Sequence, residues 1–174
     1  MLSQYYAVKK VLYPERVNFI KTYFEDFETD VLFDDILLNN CLEHVDNPVG
    51  ILLHVKKFLK TKGRIHITVP NAMSLHRILG KEMGLIQNEN ELNDNDITVG
   101  HQRVYDIDKL KKHVVNSGLF VFVSDGVILK PFADLQMKKI IDLYGSDVLD
   151  GLFKLGHKFS DNAAEIYFCC MSVQ

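Results

Sequence analysis

The chain carries the stretch FDDILLNNCLEHV at residues 33–45. Its apolar centre follows two aspartates and ends at Asn39 and Asn40. Such a run predicts a parallel strand that is buried on both faces and turns directly into a helix start. Ligands of open α/β sheets bind beyond the carboxyl ends of the strands, where polar side chains can leave the core. Asn39 and Asn40 are therefore predicted to face a ligand, although helix capping is an equally good interpretation of asparagines at such a turn.

Helical and extended patterns alternate along the rest of the chain. Strands are predicted at 17–20, 34–39, 64–69, 120–123 and 165–171, and helices at 3–12, 49–59, 74–83, 107–117 and, with an interruption near Gly145, 137–155. This order favours an α/β fold with a mostly parallel sheet and right-handed crossovers. The polar stretch 87–96 is predicted to be a mobile surface loop. Nothing marks a linker, so residues 1–174 are predicted to form one domain.

Composition narrows the classes of function. A chain of 174 residues with 47% hydrophobic residues is long enough for one globular core. Its net charge of -3 gives no reason to expect nucleic-acid binding. The sequence lacks a charged leader and an apolar run of the ~18 residues that a membrane span needs, which predicts neither export nor a membrane. Three cysteines without a Cys-x-x-Cys pair fit a reducing cytoplasm.

Four stretches carry a family resemblance when they are read in order. They are FDDILLNNCLEHVDNP at 33–48, FLKTKGRIHITVPNAMSLHR at 58–77, GHQRVYD at 100–106 and LKKHVVNSGL at 110–119. Together they resemble the C-terminal two-thirds of a class I S-adenosylmethionine-dependent methyltransferase. The resemblance implies a Rossmann-like sheet that ends in an antiparallel strand pair near 120–128 and 165–171. It also implies S-adenosylmethionine as the cofactor and methyl transfer to an acceptor that the sequence leaves open, with a small molecule or glycan precursor favoured.

The resemblance places a cofactor site at the ends of the strands predicted at 17–20 and 34–39. The implied contacts are Tyr23, Phe24, Glu25, Asn39, Asn40 and Leu42. Tyr23 stands where the family often has an aspartate, and Phe24 has the shape to stack on a purine. The two aromatic residues also fit a simpler interpretation, in which they pack in the core with Phe19 and Phe27.

A second group of residues is implied to border the substrate cleft, because it follows the next strand at the same edge of the sheet. Its members are Asn71, Ser74, His76 and Arg77. The alternative is a turn followed by a solvated helix.

Three side chains with catalytic chemistry lie together in the segment Gly100-His101-Gln102-Arg103-Val104-Tyr105. An imidazole, a guanidinium and a phenol can bind an anionic or hydroxyl-rich acceptor, and His101 is able to accept a proton from it. We therefore take His101, Arg103 and Tyr105 as candidate catalytic residues, while Arg103 and Tyr105 fit loop anchoring equally well.

The pair Glu43-His44 is given a supporting role, because it positions the ligand-contacting loop in the family. As a lone histidine, His44 fits a capping or core position better than a ligand position. The sequence contains no His-x-x-x-His or His-Glu-x-x-His spacing, so no metal site is predicted.

One part of the family pattern is missing. The family begins with a strand and a glycine-rich turn that lets the backbone approach the cofactor, and the ten glycines of this chain include no Gly-x-Gly pair. We therefore expect an N-terminally truncated methyltransferase whose own cofactor site is incomplete. The strand at 34–39 would have an exposed edge, which predicts pairing with a further chain in a homo- or hetero-oligomer. The alternative is a noncatalytic partner subunit that binds through this edge.

Overall fold

The structure, a computed structural model, describes residues 14–172, so the helix predicted at 3–12 lies outside the described residues. The strands are β1 Phe33–Asn39, β2 Leu59–Pro70, β3 Leu119–Val127 and β4 Glu165–Ser172. The α-helices are α1 Pro48–Lys56, α2 Leu75–Glu82, α3 Asp94–Thr98, α4 Ile107–Asn116, α5 Asp134–Tyr144 and α6 Asp147–Lys158. Short 3₁₀ turns occupy Pro14–Arg16 and Ser160–Asn162.

The strands form one sheet in the order β1-β2-β4-β3. β1 is parallel to β2, and β4 is antiparallel to both β2 and β3. Three strands therefore run in one direction and β4 runs against them, which confirms the predicted fold class and its antiparallel C-terminal pair. Within residues 14–172, β1 lies at the edge of the sheet.

The strand predicted at 17–20 is wrong. Residues 17–20 have no regular secondary structure and are exposed. Alternating apolar residues predict a strand only where another strand is available as a partner, and in the described part of the chain none pairs with this segment.

β2 begins earlier than the predicted strand at 64–69. Gly63 falls between the helix predicted at 49–59 and the strand predicted at 64–69, but it lies inside β2, and the pairing of β1 with β2 shifts register between Phe33 and Asp35. Lys62 has a positive φ of 66°, and a Cβ on Gly63 would lie 3.0 Å from the Asp34 carbonyl oxygen. This bulge needs glycine because the two backbones approach each other closely here. A glycine after a lysine also fits the end of a helix, so the sequence did not distinguish the two structures.

The hydrophobic core lies on one face of the sheet. Ile65 and Ile67 of β2 pair in register with Ile36 and Leu38 of β1, and the even-numbered residues of β4 continue this apolar layer. Apolar residues of α1 and α4 belong to the same core cluster. The prediction that β1 is buried on both faces is therefore wrong, because Leu38 is 2% exposed but its neighbour Leu37 is 65% exposed.

The opposite face of the sheet carries a row of polar side chains. Arg64 of β2 donates to both carboxylate oxygens of Asp35 at 2.8 and 3.2 Å. His66 bridges Asp35 at 2.9 Å and the Tyr167 hydroxyl at 2.8 Å. These cross-strand contacts and the exposed Leu37 define what we call the open face of the sheet.

Candidate functional site

The carboxyl ends of β1 and β2 lie side by side. Asn39 is in register with Thr68, and the backbone N–H of Asn40 donates to the Thr68 carbonyl oxygen at 3.0 Å. Asn40 has a φ of 47°, a left-handed conformation that asparagine tolerates at a turn, and its amide is 3.4 Å from Glu165 Oε1. Asn39 and Asn40 are both exposed at this edge of the sheet.

The turn after β1 is tied to a distant segment through Arg103. Its guanidinium donates to the Leu42 carbonyl oxygen at 2.8 Å, to the Val45 carbonyl oxygen and, at 3.4 Å, to the Asp46 carbonyl oxygen. These contacts satisfy carbonyls at a point where the backbone has left the sheet and has no ladder partner.

Tyr105 and Gln102 complete this attachment. The Tyr105 side chain is fully buried, and its hydroxyl donates to the Leu42 carbonyl oxygen at 3.3 Å. The Gln102 amide donates to the His44 carbonyl oxygen and to Asp46 Oδ1, both at 2.8 Å. These contacts support the loop-anchoring interpretation of Arg103 and Tyr105 over direct contact with a substrate.

Leu42, an implied cofactor contact, has a side chain with no exposed surface. It belongs to the hydrophobic core cluster. Its backbone carbonyl, rather than its side chain, is the group that connects this turn to Arg103 and Tyr105.

Asn71 follows the end of β2 and joins three segments. Its amide nitrogen donates to the carbonyl oxygens of Asp161 and Ala163, each at 2.9 Å, while its Oδ1 accepts from the Met73 backbone at 2.9 Å. Both donors and one acceptor position of this buried side chain are therefore used within the protein. This arrangement supports the alternative in which Asn71 organises a turn.

Ser74 and His76, at the start of α2, each carry a buried polar atom that has no hydrogen-bond partner in the part of the chain that the structure describes. These atoms are Ser74 Oγ and His76 Nδ1. Burial, assisted by the positive charges of Lys130 and Arg77, lowers the pKa of His76 to about 4. A neutral imidazole with an unused nitrogen is a suitable hydrogen-bond partner for a ligand group.

Arg77 fastens the polar stretch that was predicted to be a mobile surface loop. Its guanidinium donates to Asp96 Oδ2 at 3.0 Å and to the carbonyl oxygens of Glu89 and Glu91. Asp96 is buried, lies in α3 and forms a capping box with Asn93. Although burial opposes it, the hydrogen bonds from Asn93 and Arg77 keep the pKa of Asp96 below its usual value. The expectation of an exposed loop is therefore wrong for this end of the stretch.

Tyr23 and Phe24 line an open cleft of about 640 Å³ along the outer edge of β1. Phe33, Leu37 and the α1 residue Val55 form other parts of its wall. Both aromatic side chains are exposed, so the interpretation as core residues is wrong. Glu25 does not line this cleft; it borders a smaller one near the start of α1.

Three potential metal ligands meet between the two joined segments. One ligand atom each of Glu43, His44 and His101 lies within 4.8 Å of the others. The imidazole rings of His44 and His101 are 4.7 Å apart, and burial raises the pKa of the Glu43 carboxyl. The sequence gave no signal for this grouping, because the two histidines come from separate motifs that only folding brings together.

The sequence of the chain identifies its family. Residues 5–121 match the methyltransferase domain family, and this match covers more than half of the chain. The chain therefore belongs to the methyltransferase domain family. No curated protein sequence matches it.

Solved structures show the same fold at low sequence identity. An S-adenosylmethionine-dependent methyltransferase from Mesorhizobium loti has a TM-score of 0.52 at 10% identity, with 86% of this chain and 66% of that chain covered. The glycopeptide N-methyltransferase MtfA, solved with S-adenosyl-L-homocysteine, has a TM-score of 0.57 at 10% identity, with 97% and 67% covered. The 4+2 cyclase SpnF has a TM-score of 0.54 at 15% identity, with 91% and 56% covered. The chain thus spans 56% to 67% of the length of these proteins.

A fold shared with a cyclase does not by itself define a reaction. Across residues 14–172, no helix combines the length and apolar character that crossing a bilayer would require.

Proposed function

We propose that this chain is the C-terminal part of an S-adenosylmethionine-dependent methyltransferase that acts on a small molecule or glycan precursor. The observation that carries the proposal is the sheet order β1-β2-β4-β3 with an antiparallel β4, in a chain whose sequence belongs to the methyltransferase domain family. The buried free cysteines fit a reducing cytoplasm as its location.

The cofactor is proposed to bind at the carboxyl end and outer edge of β1. Asn39 and Asn40 offer exposed amides there, and Tyr23 and Phe24 offer exposed rings beside the same strand. Amide groups suit the polar edges of a nucleoside, and an aromatic ring suits its flat face. Glu25 and Leu42 stay weaker candidates, since Glu25 borders another cleft and the Leu42 side chain is buried.

Methyl transfer from a sulfonium mainly requires alignment of acceptor, methyl group and sulfur. We assign proton acceptance to His101. Its Nδ1 is held by Asp96 at 3.0 Å, and its Nε2 is the nitrogen that would take the proton. Arg103 and Tyr105 position the turn after β1. His76 and Ser74 are proposed to contact the acceptor. Asn71 and Arg77 are proposed to hold in place the segments that border these two residues.

The cofactor site is proposed to be incomplete in this chain, because the outer edge of β1 has no partner strand among the described residues and the sequence lacks the glycine-rich turn. Calorimetric titration of S-adenosylmethionine into the chain should give no saturable binding at micromolar concentration. The same titration into the longest reading-frame product that contains the chain should give micromolar binding. In that product, Asn40→Ala should weaken binding, whereas Asn116→Ala, on the exposed end of α4, should not.

The outcomes separate the parts of this proposal. Micromolar binding by the chain itself would show that its site is complete. No binding by an extended product would contradict the methyltransferase assignment.

The edge of β1 supports a second candidate function, that of a noncatalytic subunit. Leu37 is 65% exposed beside exposed Tyr23 and Phe24, and an apolar strand edge favours pairing with another strand. A second copy of this chain, or a complete methyltransferase, would cover it. If the partner is a second copy, light scattering should show a dimer that Leu37→Lys dissociates, and a well-behaved monomer would rule out self-association.

A further inference from the structure

The carboxylate of Glu43 is the least expected group in the structure. Its side chain is 1% exposed, and neither of its oxygens accepts a hydrogen bond from any residue in the described range 14–172. A buried carboxylate without a partner is costly, so a structure that retains one usually supplies a proton or a cation to it. Among residues 14–172, the closest basic group is His44 Nε2, at 3.8 Å from Glu43 Oε1, which is too long for a hydrogen bond.

Both histidines beside Glu43 are oriented through their other ring nitrogen. His44 Nδ1 is 3.1 Å from the Gly100 carbonyl oxygen, which can only accept, so this nitrogen carries the proton. His101 Nδ1 is 3.0 Å from the carboxylate of Asp96, which likewise accepts. A neutral imidazole protonated at Nδ1 has a free lone pair at Nε2. A carbonyl or a carboxylate behind the ring is also the partner that metal-bound histidines commonly have.

We propose that Glu43, His44 and His101 form a binding site for a divalent first-row transition-metal ion such as Zn²⁺. Two imidazole nitrogens and one carboxylate oxygen suit this class of ion better than Mg²⁺ or Ca²⁺, which prefer oxygen ligands. Metal bonds of about 2.0 to 2.2 Å place neighbouring ligand atoms roughly 3 to 4 Å apart. The present separations, all within 4.8 Å, reach that range through small side-chain rotations.

The position of the three ligands suggests how such an ion would be used. Three protein ligands would leave at least one coordination position for water or for an oxygen of another molecule. Because the one free lone pair of His101, at Nε2, cannot bind an ion and accept a proton at the same time, the proton acceptance proposed for His101 belongs to the metal-free chain. The His44 side chain is 37% exposed, which gives an ion access to the site. The bonds from Arg103 and Gln102 to the turn hold the two ligand segments together whether or not an ion is bound.

Metal binding is measured on the chain alone, without S-adenosylmethionine, so its outcome is independent of the proposed methyl transfer. After treatment with chelator, Zn²⁺ is titrated calorimetrically, and Co²⁺ is followed by its visible absorption. We expect one ion per chain. Glu43→Gln and His44→Ala should each weaken binding by at least about 100-fold, since even the loss of a supporting residue behind a ligand typically costs 10- to 100-fold.

His157→Gln is the matched control. His157 is also paired with a carboxylate, Asp125 Oδ2 at 2.7 Å, but it lies outside the three-residue site. Its affinity for Zn²⁺ should equal that of the unmodified chain. Equal weakening by His157→Gln and Glu43→Gln, or binding that Glu43→Gln leaves intact, would show adventitious surface binding and overturn the proposal.

Thermal unfolding separates loss of the site from loss of the fold. Zn²⁺ at a hundredfold excess over its dissociation constant should raise the Tm of the chain by about 5 °C or more. Glu43→Gln should keep the metal-free Tm, because it removes an unpaired charge without changing shape, and should lose the Zn²⁺-dependent rise. If Glu43→Gln lowers the metal-free Tm, His44→Ala provides the same comparison at the partly exposed ligand. A Tm that Zn²⁺ raises in His44→Ala as much as in the unmodified chain would contradict the site.

Discussion

The two faces of the sheet differ in what covers them. On the core face, Ile36 and Leu38 of β1 continue into the buried residues of β2 and β4 under α1 and α4. The open face carries a partly exposed row of hydrogen bonds that joins Asp35, Arg64, His66 and Tyr167. The side chain of Leu37 is exposed on the same face. One face of β1 is therefore covered by helices, and the other is not.

This difference indicates where further protein would attach. Sheets of doubly wound α/β proteins usually carry helices on both faces. In the described residues, only one face of β1 has this cover. The open face and the outer edge of β1 are thus the surfaces on which we expect further protein to pack, either from the same polypeptide or from a partner.

Two adjacent leucines give the largest expected contrast. Leu38→Ala should lower the free energy of unfolding by about 2 to 5 kcal/mol, because it leaves a cavity in the core. Leu37→Ala should change it by less than about 0.5 kcal/mol, since this side chain is already exposed. Urea unfolding of the chain measures both, and comparable losses would show that the open face is covered in solution.

Two arginines provide the next contrast. Arg103→Ala removes three hydrogen bonds from carbonyls of the turn after β1 and should cost about 2 to 3 kcal/mol. Arg64→Ala removes an exposed pair with Asp35 that solvent screens, and it should lower the stability less than Arg103→Ala does. The order of the two urea midpoints is the test, and a larger loss for Arg64→Ala would contradict the anchoring role of Arg103.

Two histidines extend the contrast to pH. The folded pKa of His76 is about 4, mainly through burial, whereas an unfolded histidine titrates near its ordinary value of 6.5. Between these values the unfolded chain binds a proton that the folded chain does not, so stability is present above about 6.5 and declines as the pH falls toward 4. The decline attributable to His76 should be at least about 1 kcal/mol.

His76→Gln should flatten this part of the stability profile. The matched variant is His66→Gln on the open face, where the imidazole is hydrogen-bonded to Asp35 and Tyr167, and it should leave the decline in place. An NMR titration that gives His76 an ordinary pKa would refute the prediction directly.

Two tyrosines give the smallest contrast. Tyr105→Phe removes a buried hydrogen bond to the Leu42 carbonyl oxygen and should cost about 1 kcal/mol. Tyr167→Phe removes a bond to His66 on the open face, where water can replace it, and should cost less than about 0.5 kcal/mol. Thermal melts of the two variants distinguish them, and identical shifts would count against the burial argument.

Strands β1 and β4 could be predicted closely because polar or turn residues flank their apolar runs. The predicted bounds of β1 and β4 agree with the structure within one residue at each end. β2 was predicted too short, because Lys62-Gly63 looks the same in sequence whether it ends a helix or forms a bulge. The coverage of a strand also depends on elements elsewhere in the protein, which is why the open face of β1 was not foreseen.

The site was harder to predict than the fold. Its motifs were found, but a motif does not reveal whether a polar side chain faces a ligand or a neighbouring carbonyl. Arg103 and Asn71 use their hydrogen bonds within the protein, which only the folded structure could decide. The proximity of Glu43 to His101 depends on the packing of two separate segments, so the spacing of these residues along the sequence does not reveal it.

β4 is the last strand in chain order, yet it lies between β2 and β3. As the polypeptide leaves the ribosome, β2 and β3 emerge first, and each exposes the edge that β4 will later occupy. The sheet can close only once residues 165–172 have cleared the exit tunnel, so pairing of β3 with the rest of the sheet waits until β4 has been synthesised. A nascent chain stalled before Glu165 would thus present the unpaired edges of β2 and β3 to chaperones, and shortening at β4 would detach β3 from the sheet.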